Sequence, residues 1–242
     1  MRATRPDVET IRAALEPHGL FLRGTVHFAD GAEAPRLADG RPAARVMLIG
    51  NIGSSIWPAF SLWRDGQPER GGANPLDDWS KAVIRPVAEA AGATAWFPSD
   101  PPWQPFQQWA MRAEGLKASP LGILIHPVYG LWHGYRGALG FAEPIGVALA
   151  ASAPHPCDHC PEKPCLSTCP AGAVHPDTFD VAACRSHLRS PAGQGGCMTR
   201  DASPAPPVPS VQAIATPRNN CGSIWRRCRF DCGRRAAVLG YM

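Results

Sequence analysis

The chain has 242 residues, 45% of them hydrophobic and 18% charged, with a net charge of +4. That much apolar material suits one substantial domain with a small appendage and excludes a wholly disordered chain. The charge is mild, and Lys81, Lys117 and Lys163 are the only lysines among 24 basic residues, so no nucleic-acid partner is predicted.

Residues 1–16 are charged and lack the apolar core of a secretory signal. No run approaches the roughly 18 apolar residues of a membrane-spanning helix. The expectation is a soluble cytoplasmic protein with no membrane partner.

In chain order, 7–15 has helical apolar spacing with acidic residues near its start, as a helix N-terminus favours. Segment 20–28 alternates loosely and predicts a strand; 29–41 is a loop of Gly, Pro and Asp. RVMLIG at 45–50 is a short apolar run between turn residues and predicts a buried strand. A helix begins over 56–63, and 65–74 is a polar loop. The clearest helix is 75–91, where Trp79, Val83, Ile84, Val87 and Ala91 share a face and Pro86 predicts a kink. Strand 94–97, a proline-rich turn at 98–105, a helix at 106–114 and strands at 122–125 and 132–141 follow. This mixture predicts an α+β class. From His155 onward the character changes to Cys, Pro and short turns.

All nine cysteines lie in the last 86 residues, none before Cys157. Clustering at one end of a cytosolic chain points to metal ligands rather than a disulfide framework. Residues 157–170 read CDHCPEKPCLSTCP, so Cys157, Cys160, Cys165 and Cys169 follow C-x2-C-x4-C-x3-C-P. The bacterial ferredoxin pattern is C-x2-C-x2-C-x3-C-P, its fourth cysteine serving the other cluster. A cubane [4Fe–4S] cluster has iron corners a few ångströms apart, and a tight loop brings several thiolates to it together. The Cys169-Pro170 step is expected to turn into a helix, with proline in its first turn. A zinc site is the alternative, with His155 and His159 as further ligands or as ordinary polar loop residues.

Cys184 and Cys197 match part of a second ferredoxin half. In a pseudo-symmetric pair, Cys157, Cys160 and Cys165 belong to one cluster and Cys169, Cys184 and Cys197 to the other, each one ligand short. One cluster, or a labile second one beside it, is therefore expected. Cys221, Cys228 and Cys232 remain, in a Pro- and Arg-rich tail that reads as disordered. A sharper reading is a translational frameshift after about Thr199. From Arg200 a neighbouring frame permits Gly-Cys-Leu-Ala-Arg-x-x-Cys-Pro-Val-Gly, which supplies the two missing cysteines. On that reading the tail is aberrant and its three cysteines are accidents.

A second signal lies in LGILIHPVYGLWHGYRG at 121–137. His126-Pro127, Gly130, Trp132 and Arg136-Gly137 resemble the HP-x2-G-x-W-x3-RG stretch of cobalamin-processing proteins of the CblC type. Glu16-Pro17-His18-Gly19-Leu20 resembles that family's Cys-Pro-x-Gly-Phe approach to its first strand, and RVMLIGN at 45–51 its next strand. The resemblance covers roughly 8–142; the family's His-x-x-Gly segment has no counterpart near 106–111. A CblC-like domain followed by a two-cluster ferredoxin is also the plan of epoxyqueuosine reductases and reductive dehalogenases, which pass electrons to a bound corrinoid.

The resemblance implies a nitroreductase-like domain at 1–150, a ferredoxin-type domain at 151–200 and the tail at 201–242. It implies that Arg136 matches the arginine that binds the family's glutathione cosubstrate, and that Arg136 and His126 bind a cofactor, cobalamin or a flavin. The other readings are a surface arginine in a salt bridge and a capped structural histidine. Trp103, Trp109 and Trp132 are either core residues or a platform for a flat cofactor. The expected function is electron transfer from [4Fe–4S] to a bound corrinoid or flavin, with a redox partner protein and no assigned catalytic residue. A plain ferredoxin-like carrier and a corrinoid-trafficking protein without turnover are the alternatives.

Overall fold

The computed structural model describes residues 7–29, 33–143 and 154–193. Cys197, the other late cysteines and the tail at 201–242 lie outside the described residues, as does the proposed frameshift junction. The described residues fall into two compact units, one of 7–29, 33–116 and 132–143, the other of 117–131 and 154–193. The segment 117–131, with His126, thus clusters with the cysteine-rich residues, whereas Arg136 belongs to the first unit.

The first unit has the α+β character expected. Its helices are α1 (Val8–Leu15), α2 (Trp57–Asp65), α3 (Pro75–Ala90) and α4 (Phe106–Glu114). Its strands are β1 (Phe21–His27), β2 (Arg45–Ile52), β3 (Thr94–Trp96) and β4 (His133–Phe141), forming an antiparallel sheet in the order β1-β2-β4-β3. Among the described residues no helix is long and apolar enough to cross a membrane.

Local chemistry explains the elements. Asp7 caps α1 by accepting from the Glu9 N–H at 3.1 Å, and Ile11 and Leu15 turn inward one helical turn apart. Proline stands at the start of α3, whose Trp79, Ile84 and Ala88 are buried against the sheet. The helix is assigned without a break through Pro86, which lies on its exposed side, where solvent reaches the carbonyl that proline leaves unpaired. Strand β2 is apolar on consecutive residues because the sheet is covered on both faces. Met47 and Ile49 join the core made with α1, α2 and α3, while Val46 and Leu48 are buried on the opposite face.

On that opposite face α4 packs on β1, so closely that a Cβ on Gly24 would lie 2.8 Å from Cβ of Ala113. Trp109 of α4 is buried beside Trp96 and Phe106, as a core residue. Trp103 and Trp132 are exposed.

The strand expected at 122–125 does not form. Ser119 N–H donates to Ile123 O at 3.0 Å, and an isolated bridge joins Ala118 to Leu124, so the segment closes on itself as a tight loop.

A buried polar feature joins α4 to the sheet. Arg23 of β1 donates from Nε and Nη2 to the two carboxylate oxygens of Glu114 at 2.9 and 3.1 Å, and from Nη1 to Asn51 O at 3.2 Å. The two side chains are only 3% and 5% exposed. The Tyr135 hydroxyl donates to the same carboxylate, and burial together with that negative charge holds the phenol well above its ordinary pKa.

Removing one member of a buried ion pair leaves the other uncompensated. Glu114→Ala is therefore expected to destabilise the fold by about 3–5 kcal/mol, and Tyr135→Phe by about 1 kcal/mol, measured by urea denaturation. An unfolded tyrosine ionises near about pH 10, below the folded value, so this tyrosine's stabilisation is complete below that pH and declines as pH rises past it. Tyr135→Phe should remove that part of the alkaline slope.

Candidate metal centre and ligand site

The cysteine segment is fixed at its start by a histidine. His155, 5% exposed, accepts at Nδ1 from the Cys157 N–H at 3.2 Å and contacts Lys117 O through Nε2 at 3.1 Å. A carbonyl only accepts, so Nε2 carries the proton. Both ring nitrogens are occupied, which removes His155 from any zinc ligand set and makes it a structural clamp. It caps a 3-10 turn, Pro156–His159, that carries Cys157 and leads to buried Cys160. Lys117 and Asp158 add an exposed ion pair at 3.6 Å. His159 is exposed.

The two extra residues between Cys160 and Cys165 are absorbed at Lys163, which adopts φ 37°, ψ 59° in the left-handed region. A single helical turn, α5 (Pro164–Ser167), then carries Cys165, and Thr168 Oγ1 donates back to Pro164 O at 2.6 Å. The expected helix after Cys169-Pro170 is absent. Instead Gly172 N–H donates to Cys169 O at 3.0 Å, and glycine's φ of 58° closes a turn. Asp180 then caps α6 (Val181–Arg189) by accepting from Ala183 N–H at 2.9 Å, and α6 presents Cys184.

Cys157, Cys165, Cys169 and Cys184 are free thiols and Cys160 is disulfide-bonded. Among the described residues no three His, Cys, Asp or Glu side chains converge as a metal site. The fit to a cluster therefore rests on the chemistry of the donor set. Burial pushes the Cys157 thiol up, the neighbouring Cys165 and Asp158 push it further, and Lys163 opposes them. Cys157 and Cys165 thus lie within electrostatic reach of each other, and a nearby cationic centre would favour the Cys157 thiolate.

In the sheet unit, Arg136 marks a bulge. Ile49 pairs with Gly137 and Gly50 with Tyr135, leaving Arg136 as the extra residue on β4. Its guanidinium is buried without an ion pair or hydrogen bond among the described residues, and Nε has no partner. Burial lowers its pKa, and Asp77 partly counters that. The surface salt bridge considered above is therefore not what this arginine does.

His126 takes the capped form. Its Nδ1 accepts from the Val128 and Tyr129 N–H groups at 3.0 and 3.2 Å, and its ring stacks on Tyr129 at 4.3 Å. With Nδ1 accepting, Nε2 carries the proton, so in that tautomer the ring does not coordinate cobalt.

A cleft of about 310 Å³ between α3 and β3, with Arg85, Thr94, Trp96 and Asp100 in its wall, contains none of the expected site residues. Asn51 was not singled out in the sequence, and the clamp role of His155 was not foreseen among the readings considered for it above. Asn51 had a signal, as the polar residue ending the apolar run of β2. His155 had only its place two residues before Cys157.

His155→Ala removes both ties at once. Amide exchange at Cys157 and Asp158 is expected to accelerate by about tenfold or more, with the amides of α3 unchanged, as read by hydrogen–deuterium exchange.

No protein-family model and no curated protein sequence matches this chain, so the residues above carry the chemistry of the site by themselves.

Proposed function

We propose that this chain is an iron–sulfur electron-transfer protein that holds a [4Fe–4S] cluster through Cys157, Cys160, Cys165 and Cys169. It delivers electrons to a corrinoid or flavin bound by the sheet unit around Arg136. The observation that carries this reading is the donor set itself: four cysteines within thirteen residues, ending in Cys-Pro. Zinc ribbons separate their two cysteine pairs by longer stretches, whereas cubane sites draw several ligands from one short loop. Such a cluster supplies one-electron transfer at a potential set by its surroundings.

Around it, this chain's own residues have definite tasks. His155 holds the Cys157 turn by its backbone, and Lys163 offsets negative charge beside the thiols. Cys184 on α6, together with Cys197, belongs to the second ligand group. Arg136 supports the acceptor half of the reading, because a buried guanidinium whose Nε has no partner among the described residues is suited to an oxygen-bearing ligand.

Purification without oxygen, with thiol present to reduce Cys160, is expected to give a brown protein. It should carry iron and acid-labile sulfide, about four of each for one cluster. Cys160→Ser should sharply reduce both. Stoichiometric zinc without sulfide would overturn the reading. Titration of the full chain with cobalamin should shift the corrinoid absorbance, and no shift at high micromolar ligand would remove the corrinoid acceptor.

A further inference from the structure

We propose that the exposed face of α6 is a docking surface for an acidic one-electron carrier protein. The helix itself defines the face. Ala183, Cys184 and His187 are half-buried and lie together on one side. Val181, Arg185, Leu188 and Arg189 are exposed on the other side, Val181 and Leu188 by 41% and 44%. The helix thus turns Cys184 inward and presents two apolar side chains beside two arginines to solvent.

Both ends of α6 are fixed. Asp180 caps its start by accepting from the Ala183 N–H at 2.9 Å. At its end Ser190 Oγ donates to His187 O at 2.7 Å and accepts from the Gly193 N–H at 3.2 Å. A partner therefore meets a preformed surface and need not order it on binding.

Charge selects the occupant. Residues 181–193 contain no Asp or Glu. Asp177 and Asp180 precede the helix, and Asp180 is turned onto the backbone as its cap. His187 and Arg189 stand in the last turn, where the helix dipole favours a cation whatever the function. Arg185 has no such reason. It is exposed in mid-helix and forms no ion pair among the described residues. The matching surface is acidic around a small apolar centre. Residues 194–242 of this chain do not match, since they carry seven arginines against Asp201 and Asp231. A second copy related by a two-fold axis does not match either, because arginine would meet arginine.

Two apolar side chains rimmed by charge make a small contact. That is the class of transient electron-transfer encounters, which bury less than about 1,200 Å² in total. The electron-carrying nature of the partner rests on the function proposed above. A helix with its side chains is about 10–12 Å wide, so a carrier on this face sits one helix width from the Cys184 side. The transfer moves one electron from carrier to cluster and makes or breaks no bond.

The test uses the full chain, reduced and free of oxygen, with binding read by calorimetry. The probes are oxidised flavodoxin, an acidic one-electron carrier, and cytochrome c, a basic one. Flavodoxin is expected to bind at micromolar concentration and to weaken steeply with added salt, and cytochrome c not to bind. Arg185→Glu should weaken flavodoxin binding about tenfold, and Leu188→Ala about threefold. The double variant Arg185→Glu, Arg189→Glu should bind cytochrome c. Arg36→Glu, the same change of charge in the sheet unit, should leave flavodoxin binding unchanged. Independently of any variant, flavodoxin should slow hydrogen exchange at the α6 amides and leave those of α3 unchanged.

No flavodoxin binding at high micromolar protein would overturn the proposal. So would an equal loss in Arg185→Glu and Arg36→Glu, or protection that misses α6. Self-association abolished by Arg185→Glu, or binding to anionic phospholipid vesicles in place of flavodoxin, would give the face to another occupant and overturn it too. Iron and sulfide, measured on the same samples, read the cluster separately. A chain without sulfide that still binds flavodoxin through α6 would uphold the docking face and overturn the proposed function. A chain with iron and sulfide that does not bind would overturn the face and leave that function standing.

Discussion

The buried pair of Arg23 and Glu114 constrains the rest of the sheet unit. It joins β1 to the last residue of α4 through two hydrogen bonds of 2.9 and 3.1 Å. Such pairs add little net stability, because desolvation offsets their attraction. Their effect is on arrangement. A carboxylate at this depth accepts few alternatives, so α4 must end where Arg23 can reach it. Tyr135 completes the carboxylate's bonding, which in turn fixes the register of β4. The bulge at Arg136 follows from that register, since Gly50 faces Tyr135 while Ile49 faces Gly137. The arginine is left buried with its Nε unsatisfied among the described residues.

Much of the sheet unit was legible in the sequence because its elements have strong periods. The inward face of α3 repeats at helical spacing, with Trp79 and Ile84 fully buried as the pattern requires and Val83 and Val87 partly so. The apolar run of β2 reads as a strand covered on both faces, and is one. The segment 122–125 misled for the same reason. Ile123, Leu124 and Ile125 form an equally apolar run, but a strand exists only if another pairs with it, and a run alone does not reveal its partner. Here Ser119 closes a local turn onto Ile123, and the side chain of Ile123 is left 38% exposed. The Arg23–Glu114 pair was invisible for a different reason: its partners are 91 residues apart, and no local pattern links them.

At the candidate site, residue types were legible and their duties less so. The spacing of Cys157, Cys160, Cys165 and Cys169 can be read from the chain, but the helix expected after Cys169 is replaced by a helical turn before it. Pro164 starts that turn and Gly172 closes the next, so the prolines and glycine set the geometry more than the Cys-Pro step does. His126 and Arg136 stood together in one motif. Hydrogen-bond bookkeeping separates them: the histidine spends its Nδ1 on its own loop, whereas the arginine's Nε keeps its bonding capacity.

The electrostatics of the cysteine segment disfavour ionisation of Cys157. Each additional thiolate in a small, partly buried volume raises the cost of the next, as Cys165 does for Cys157. Lys163 opposes these effects on Cys157. Cys157, Cys165 and Cys169 are free thiols here, and Cys160 is oxidised. In the function proposed above, iron would supply positive charge beside Cys157 and take the cysteines as ligands. Backbone constraints such as the His155 clamp would reduce the ordering that assembly of the proposed centre must still achieve.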